Sequence, residues 1–146
     1  KEIAESAEAE ARLHAKKASE AEAAAIEATL REWSAQPATS PSWCNLVVTT
    51  GGTGFGPRDV TPEATARVVT KRIPGITSMV AAAAAERQPL AYLSRGIAGV
   101  VGAGAVGNQH PVVVLNTPGS PVAVTDHLRL CLPLLAHSVA AAAAGP

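Results

Sequence analysis

The chain has 146 residues, 47% hydrophobic and 3% aromatic; that size suits one domain with a core of Val, Leu and Ile and excludes two full domains. Its 31 alanines equal its valines, isoleucines and leucines combined, and no apolar run approaches the roughly 20 residues needed to span a bilayer. Twelve basic and twelve acidic residues cancel, and basic residues are not interleaved with aromatic ones as in nucleic-acid grooves.

Residues 1–32 carry eight Glu against five Lys or Arg, and 33–146 carry four acids against seven bases. A mildly basic body is compatible with a phosphate-bearing ligand. The first residues carry acids and lead into no apolar segment, so no secretory signal is expected. From Lys1 to Ala35 there is neither Gly nor Pro, which favours helix. Ile26, Leu30 and Trp33 predict a docked helix at 20–34, with 1–19 an Ala/Glu-rich helical extension or linker and 20–146 the domain. Residues 45–50 (NLVVTT) read as a strand buried on both faces. Gly51–Asp59 is a glycine-rich turn, and Thr61-Pro62-Glu63 signals a helix start, with Thr61 as cap; that helix is expected to run to Lys71 or Arg72. Pro74-Gly75 interrupts, a helix follows from Ile76 to Arg87, and 88–102 holds Ser94-Arg95-Gly96 on a loop or short helix. Residues 102–111 read as a glycine-rich insertion, 112–116 (VVVLN) as a second buried strand and 117–121 as a second turn. A closing helix spans 122–144, with Pro133 as a kink point.

Cys44 and Cys131 lie far apart with no CxxC, which argues against a disulfide scaffold or zinc site, and both read as buried small apolar residues. His127 and Cys131 lie four apart on one helix, and without a third ligand they read as packing or surface residues. Two strands end in loops, GGTGFGPRD and TPGSP, each leading into a helix. Ligands of open α/β sheets bind at such carboxyl ends, where glycine backbone and a helix N-terminus offer donors to anions. Neither loop is a Walker site or a GxGxxG fingerprint. Asp59 suits either a turn or Mg²⁺ at a phosphate site.

The run Thr49-Thr50-Gly51-Gly52-Thr53-Gly54-Phe55-Gly56-Pro57-Arg58-Asp59-Val60-Thr61-Pro62-Glu63-Ala64-Thr65 resembles the signature of molybdopterin adenylyltransferases, including the G domains of gephyrin and of the plant cofactor-biosynthesis protein. Pro74-Gly75, Leu93-Ser94-Arg95, Ala98-Gly99 and Asn116-Thr117-Pro118-Gly119-Ser120-Pro121 continue the likeness over about 20–140. The resemblance implies a three-layer α/β/α molybdopterin-binding fold with a mostly parallel sheet. The family's usual first strand with Ser-Asp and its Val-Pro-Asp turn are not found here. The sheet is therefore expected to be incomplete at its N-terminal part. Val101 stands where a basic residue often lies.

The implied reaction is adenylylation of molybdopterin by Mg-ATP, releasing pyrophosphate, in the cytoplasmic molybdenum-cofactor pathway. The resemblance assigns Asp59 and Ser94 to catalysis, with Asp59 as the Mg²⁺ ligand. Gly51, Gly52, Thr53 and Gly54 are assigned to a backbone cradle for anionic ligand groups, Arg95 to a charge partner, Pro118, Gly119 and Ser120 to the opposite wall, and Thr50 and Asn116 to binding of molybdopterin or ATP phosphates. It also implies a homotrimer and a fused or associated molybdate-inserting E domain. A non-catalytic molybdopterin-binding or trimeric scaffold module is the alternative.

Overall fold

The computed structural model describes residues 2–102 and 110–143, with side chains at Glu10 and from residue 12 onward within them. Glu2–Ser34 form one continuous helix, α1, as a stretch free of Gly and Pro should. Residues 12–18 are exposed, and docking begins at buried Ala23, with Ile26 and Leu30 beyond it. The expected stripe changes at its end: Trp33 is exposed and Ser34 is buried. Positions 23, 26, 30 and 34 follow one helical face, and 33 lies at its flank.

The remaining elements are β1 (Leu46–Thr50), α2 (Thr61–Ala66), β2 (Lys71–Arg72), α3 (Pro74–Ala85), a 3-10 turn (Pro89–Leu93), β3 (Ala98–Val101), β4 (Val112–Thr117) and α4 (Pro121–Ala143). The helix expected to reach Lys71 or Arg72 stops at Ala66, and its cap is Val60 rather than Thr61. β-branched Val68, Val69 and Thr70 disfavour its continuation. The chain instead enters edge strand β2, which is bracketed by Thr70 N–H donating to Val100 O and Ile73 N–H donating to Ala98 O, both at 2.8 Å. Gly99 permits that pairing, since a Cβ there would stand 2.8 Å from the Lys71 carbonyl oxygen.

The sheet order is β1-β4-β3-β2. β1 and β4 are parallel, while β3 is antiparallel to both β4 and β2. The expected mostly parallel sheet is therefore mixed. β3, which the sequence reading leaves inside a loop region, is the cause: the ten-residue connection 102–111 is shorter than the dozen or so residues of a parallel crossover and returns the chain antiparallel. Within that connection, 103–109 lie outside the described residues.

Helices cover both faces, giving the expected α/β/α layers. On one face Leu30 of α1 and Val68 pack on Val47, Val101, Val112 and Val114. On the other, Ile76 and Val80 of α3 and Cys131 and Leu135 of α4 pack on Ala98, Val113 and Leu115. Each Val, Leu or Ile among them contributes about 1.5–3 kcal/mol when fully buried. β4 is buried at all six positions, as its apolar run predicts. β1 is not, because it is the sheet edge: Val48 is 36% exposed, and among the described residues no strand pairs with its outer side. Both cysteines are free, Cys131 buried and Cys44 half-buried, and burial raises both thiol pKa values. Among the described residues no helix is long and apolar enough to cross a membrane.

Candidate functional site

Parallel pairing with Thr49 opposite Asn116 and Thr50 opposite Thr117 brings the ends of β1 and β4 level, so loops 51–59 and 118–120 leave the sheet side by side. β3 runs the opposite way, and the residues before it, Ser94–Ile97, therefore reach the same end. There Asn116 N–H donates to Ile97 O at 2.8 Å, and Ile97 N–H donates to Asn116 Oδ1 at 3.1 Å. Three segments distant in sequence converge.

The loops are laced together by short polar contacts. Gly51 N–H donates to Thr117 O at 2.9 Å, the Thr50 hydroxyl to Pro118 O at 2.9 Å and the Thr117 hydroxyl to Thr49 O at 2.8 Å. Gly51 and Gly52 adopt φ of 85° and 66°, a region in which glycine is unstrained. Gly52 is also pressed against Thr61, whose hydroxyl a Cβ would strike. Asp59 closes the loop: Gly56 N–H donates to its Oδ2 at 2.8 Å, and Asp59 N–H donates back to Gly56 O at 3.0 Å. Asp59 Oδ1 makes no hydrogen bond to a described residue.

Arg95 is built into this loop. Its Nε donates to Gly54 O at 2.8 Å, its Nη2 to Asp59 O at 2.6 Å, and its Nη1 pairs with Glu63. Its backbone N–H donates to Thr53 O at 3.0 Å, and the guanidinium lies 5.5 Å from the centroid of the Phe55 ring. A planar fork suits such divergent acceptors. The residue expected as a charge partner for a ligand thus grips the glycine loop, and Glu63, expected only as a helix-start acid, holds its third arm.

Asn116 is also spent inside the protein. It is 3% exposed, and its Nδ2 donates to the hydroxyls of Thr49 at 2.8 Å and Thr65 at 3.0 Å. Five of the other expected residues border open space, whereas Thr50, Gly51, Gly52, Asp59 and Gly119 are not among those lining it. A cleft of about 940 Å³ is lined by Thr53, Gly54, Ser94, Pro118 and Ser120, a size typical of ligand sites. Gly51 and Gly119 stand with their Cα atoms toward each other. Val122 and Ala123 also line the cleft; as first-turn residues of α4 their N–H groups have no intrahelical acceptor. Arg87 and Asp126 pair across its rim at 2.9 Å. His127, read from sequence as packing or surface, lines the cleft as well, and spacing with Cys131 marks only the inward face of its helix. Among the described residues no group of three or more His, Cys, Asp or Glu is arranged to hold a metal.

A family model described as a probable molybdopterin binding domain matches residues 3–137. The chain is similar to the molybdopterin adenylyltransferase of Helicobacter pylori, with 36% identity over 96 residues, 66% of this chain and 50% of that protein. It is similar to the molybdenum cofactor synthesis protein cinnamon of Drosophila melanogaster, with 35% identity over 114 residues, 78% of this chain and 17% of that protein. Among solved structures, the molybdopterin biosynthesis enzyme MoaB from Thermus thermophilus superposes with a TM-score of 0.68 at 34% identity, covering 85% of this chain and 70% of that one. The chain thus spans half the length of the bacterial adenylyltransferase it matches. Together the strand-end glycine loops, the α/β/α layers and a family match over most of the sequence make this chain a member of the molybdopterin binding domain family.

Proposed function

We propose that this cleft adenylylates molybdopterin in molybdenum cofactor biosynthesis. A terminal phosphate oxygen of molybdopterin attacks the α-phosphorus of ATP, the bond to the bridging oxygen breaks, and adenylyl-molybdopterin and pyrophosphate leave. The observation that carries this reading is the approach of the glycine loop to the 118–120 loop at the cleft, with the Asp59 carboxylate, close to Gly54, keeping one oxygen that bonds no described residue. Such a transfer needs positioning and charge neutralisation more than covalent help. N–H groups of Gly52, Thr53 and Gly54 and of the first turn of α4 would supply donors to phosphate oxygens, while Gly51, its own N–H given to Thr117 O, would shape the cradle. The Ser94 hydroxyl would bind substrate, Pro118, Gly119 and Ser120 would form the opposite wall, and Thr50, Arg95 and Asn116 would position the loops.

Magnesium fits Asp59, because it is commonly held by one or two carboxylates with phosphates and water completing the shell. When bound, the ion neutralises charge on the phosphates. A homotrimer in the cytoplasm, with a fused or associated E domain, belongs to the same reading. Full-length protein given molybdopterin, ATP and Mg²⁺ is expected to release pyrophosphate, and Asp59→Ala to reduce that to background. Equal release by Asp59→Ala and the unaltered protein would refute it. The outer edge of β1, unpaired among the described residues, favours a second reading, a module that binds molybdopterin without turnover; tight binding with no ATP consumed would select it.

A further inference from the structure

His127 lies on the inward face of α4, one turn before Cys131 and two before Leu135, where that face leaves the apolar core and reaches the cleft. It is 9% exposed. Beside the cleft is a small cavity of about 30 Å³, room for one or two water molecules. His127 and Ser94 line both spaces. The other polar groups of the small cavity are committed: the Thr77 hydroxyl donates to Pro74 O at 2.9 Å, and the Asn116 amide serves Thr49 and Thr65. Neither ring nitrogen of His127 is hydrogen-bonded to a described residue. Its nitrogens are not among the fully buried atoms that lack a partner, so they reach the open space that His127 lines, where a ligand or a bridging water can complete them.

We propose that His127 is a specificity-determining residue of the cleft, its imidazole hydrogen-bonding, directly or through one water in the small cavity, to the edge of a substrate's heteroaromatic ring. This rests on the adenylyl-transfer reading for the ligand. Burial disfavours the charged ring and outweighs the attraction of neighbouring Asp126, whose carboxylate pairs with Arg87 from the end of α3 at 2.9 Å and lies 4.0 Å from Arg129. A neutral imidazole suits ring nitrogens, exocyclic amines and carbonyls rather than phosphate. Exposed Leu93 and Val122 offer the apolar surface that a flat ring covers. Adenine and pterin share this edge chemistry.

The test uses the full chain, labelled with ¹⁵N-histidine, and two probes: a non-hydrolysable α,β-methylene ATP with Mg²⁺, and 6-hydroxymethylpterin. For at least one probe, His127→Leu is expected to raise Kd about tenfold, while His127→Gln stays within about threefold because an amide retains donor and acceptor. The same probe should move the His127 ¹⁵N shifts of the unaltered protein, and which probe does so identifies the ring. Unchanged Kd for both probes in a folded His127→Leu protein would overturn the proposal. If His127→Leu does not fold, the shifts alone decide, and shifts unmoved by either probe overturn it. Probe binding with unmoved His127 shifts sinks this inference only. Moved shifts without pyrophosphate release sink adenylyl transfer only, and absence of binding by both probes overturns both.

Discussion

Gly51 and Gly119 stand with bare Cα atoms toward each other: a Cβ on Gly119 would lie 3.5 Å from the Gly51 Cα, and one on Gly51 3.8 Å from the Gly119 Cα. Those are ordinary contacts, so space admits a methyl at either position. Backbone conformation does not, because Gly51 has φ of 85°. Gly119→Ala is expected to leave stability nearly unchanged and Gly51→Ala to lose about 1–2 kcal/mol. Gly52→Ala should lose more, since it combines positive φ with a collision against buried, β-branched Thr61. Urea unfolding of the three variants checks this order, and equal losses at Gly51 and Gly119 would contradict it.

Arg95 separates a surface ion pair from a structural clamp. Its pairing with Glu63 is solvent-accessible, with the Glu63 side chain 46% exposed, and such pairs contribute under about 1 kcal/mol. Its bonds to the Gly54 and Asp59 carbonyls are charge-assisted and hold the glycine loop. Glu63→Gln should therefore cost little. Arg95→Lys, which keeps the charge and loses the fork, should cost about 1.5–3 kcal/mol and most of the pyrophosphate release. Chemical denaturation and the release assay on both variants read the difference; equal effects would mean that charge, not geometry, matters.

Asn116 bonds one loop and two threonines from a buried position. Truncation to Ala leaves the Ile97 N–H and the hydroxyls of Thr49 and Thr65 without that partner. A loss of about 2–4 kcal/mol is expected, because each buried group left unsatisfied costs about 1–3 kcal/mol and hydroxyls can turn elsewhere. Thr49→Val and Thr65→Val should each cost less than Asn116→Ala. Thermal unfolding of the three decides, and a near-neutral Asn116→Ala would show that water replaces the amide.

The imidazole of His127 makes stability depend on pH. Burial lowers its pKa below the ordinary value of about 6.5, so the unfolded chain takes up a proton there before the folded one does. Stability is then full above about pH 6.5 and falls as pH drops from that value toward the folded-state pKa. Asp126, paired with Arg87, and Glu86 and Arg129 on the cleft rim are the charged groups near it. Between about pH 7.5 and 5.5 the unaltered protein should lose more stability than His127→Gln. Parallel pH curves for the two in urea denaturation would show that His127 is not the titrating group.

Legibility in the sequence followed how local each determinant is. β4 announced itself through Val112, Val113, Val114 and Leu115, because a strand buried on both faces needs an unbroken apolar run. β3 and β2 did not. Ala98 and Gly99 carry little strand propensity and become strand by pairing with β4 and with Lys71-Arg72, a dependence on residues far along the chain. The glycine loop was readable as a motif, and its Thr53, Gly54 and Phe55 line the cleft. The roles of Arg95 and Asn116 were not, because their partners are settled by three loops meeting, not by adjacent residues. Trp33 shows the same limit on a helix: periodicity narrowed the buried face, and only packing decided which flank closed it.

Because β3 runs against β4, the site is framed by two strand ends and one strand beginning, while the end of β3 and the start of β4 lie at the far end of the sheet, where Val101 pairs with Val112. Chain length and chemistry are thereby placed at opposite poles of the domain. A lineage carrying this fold can lengthen or shorten the stretch after Val101 while leaving Ser94, Arg95 and the glycine loops in place, so that drift in one connection does not reach the cleft.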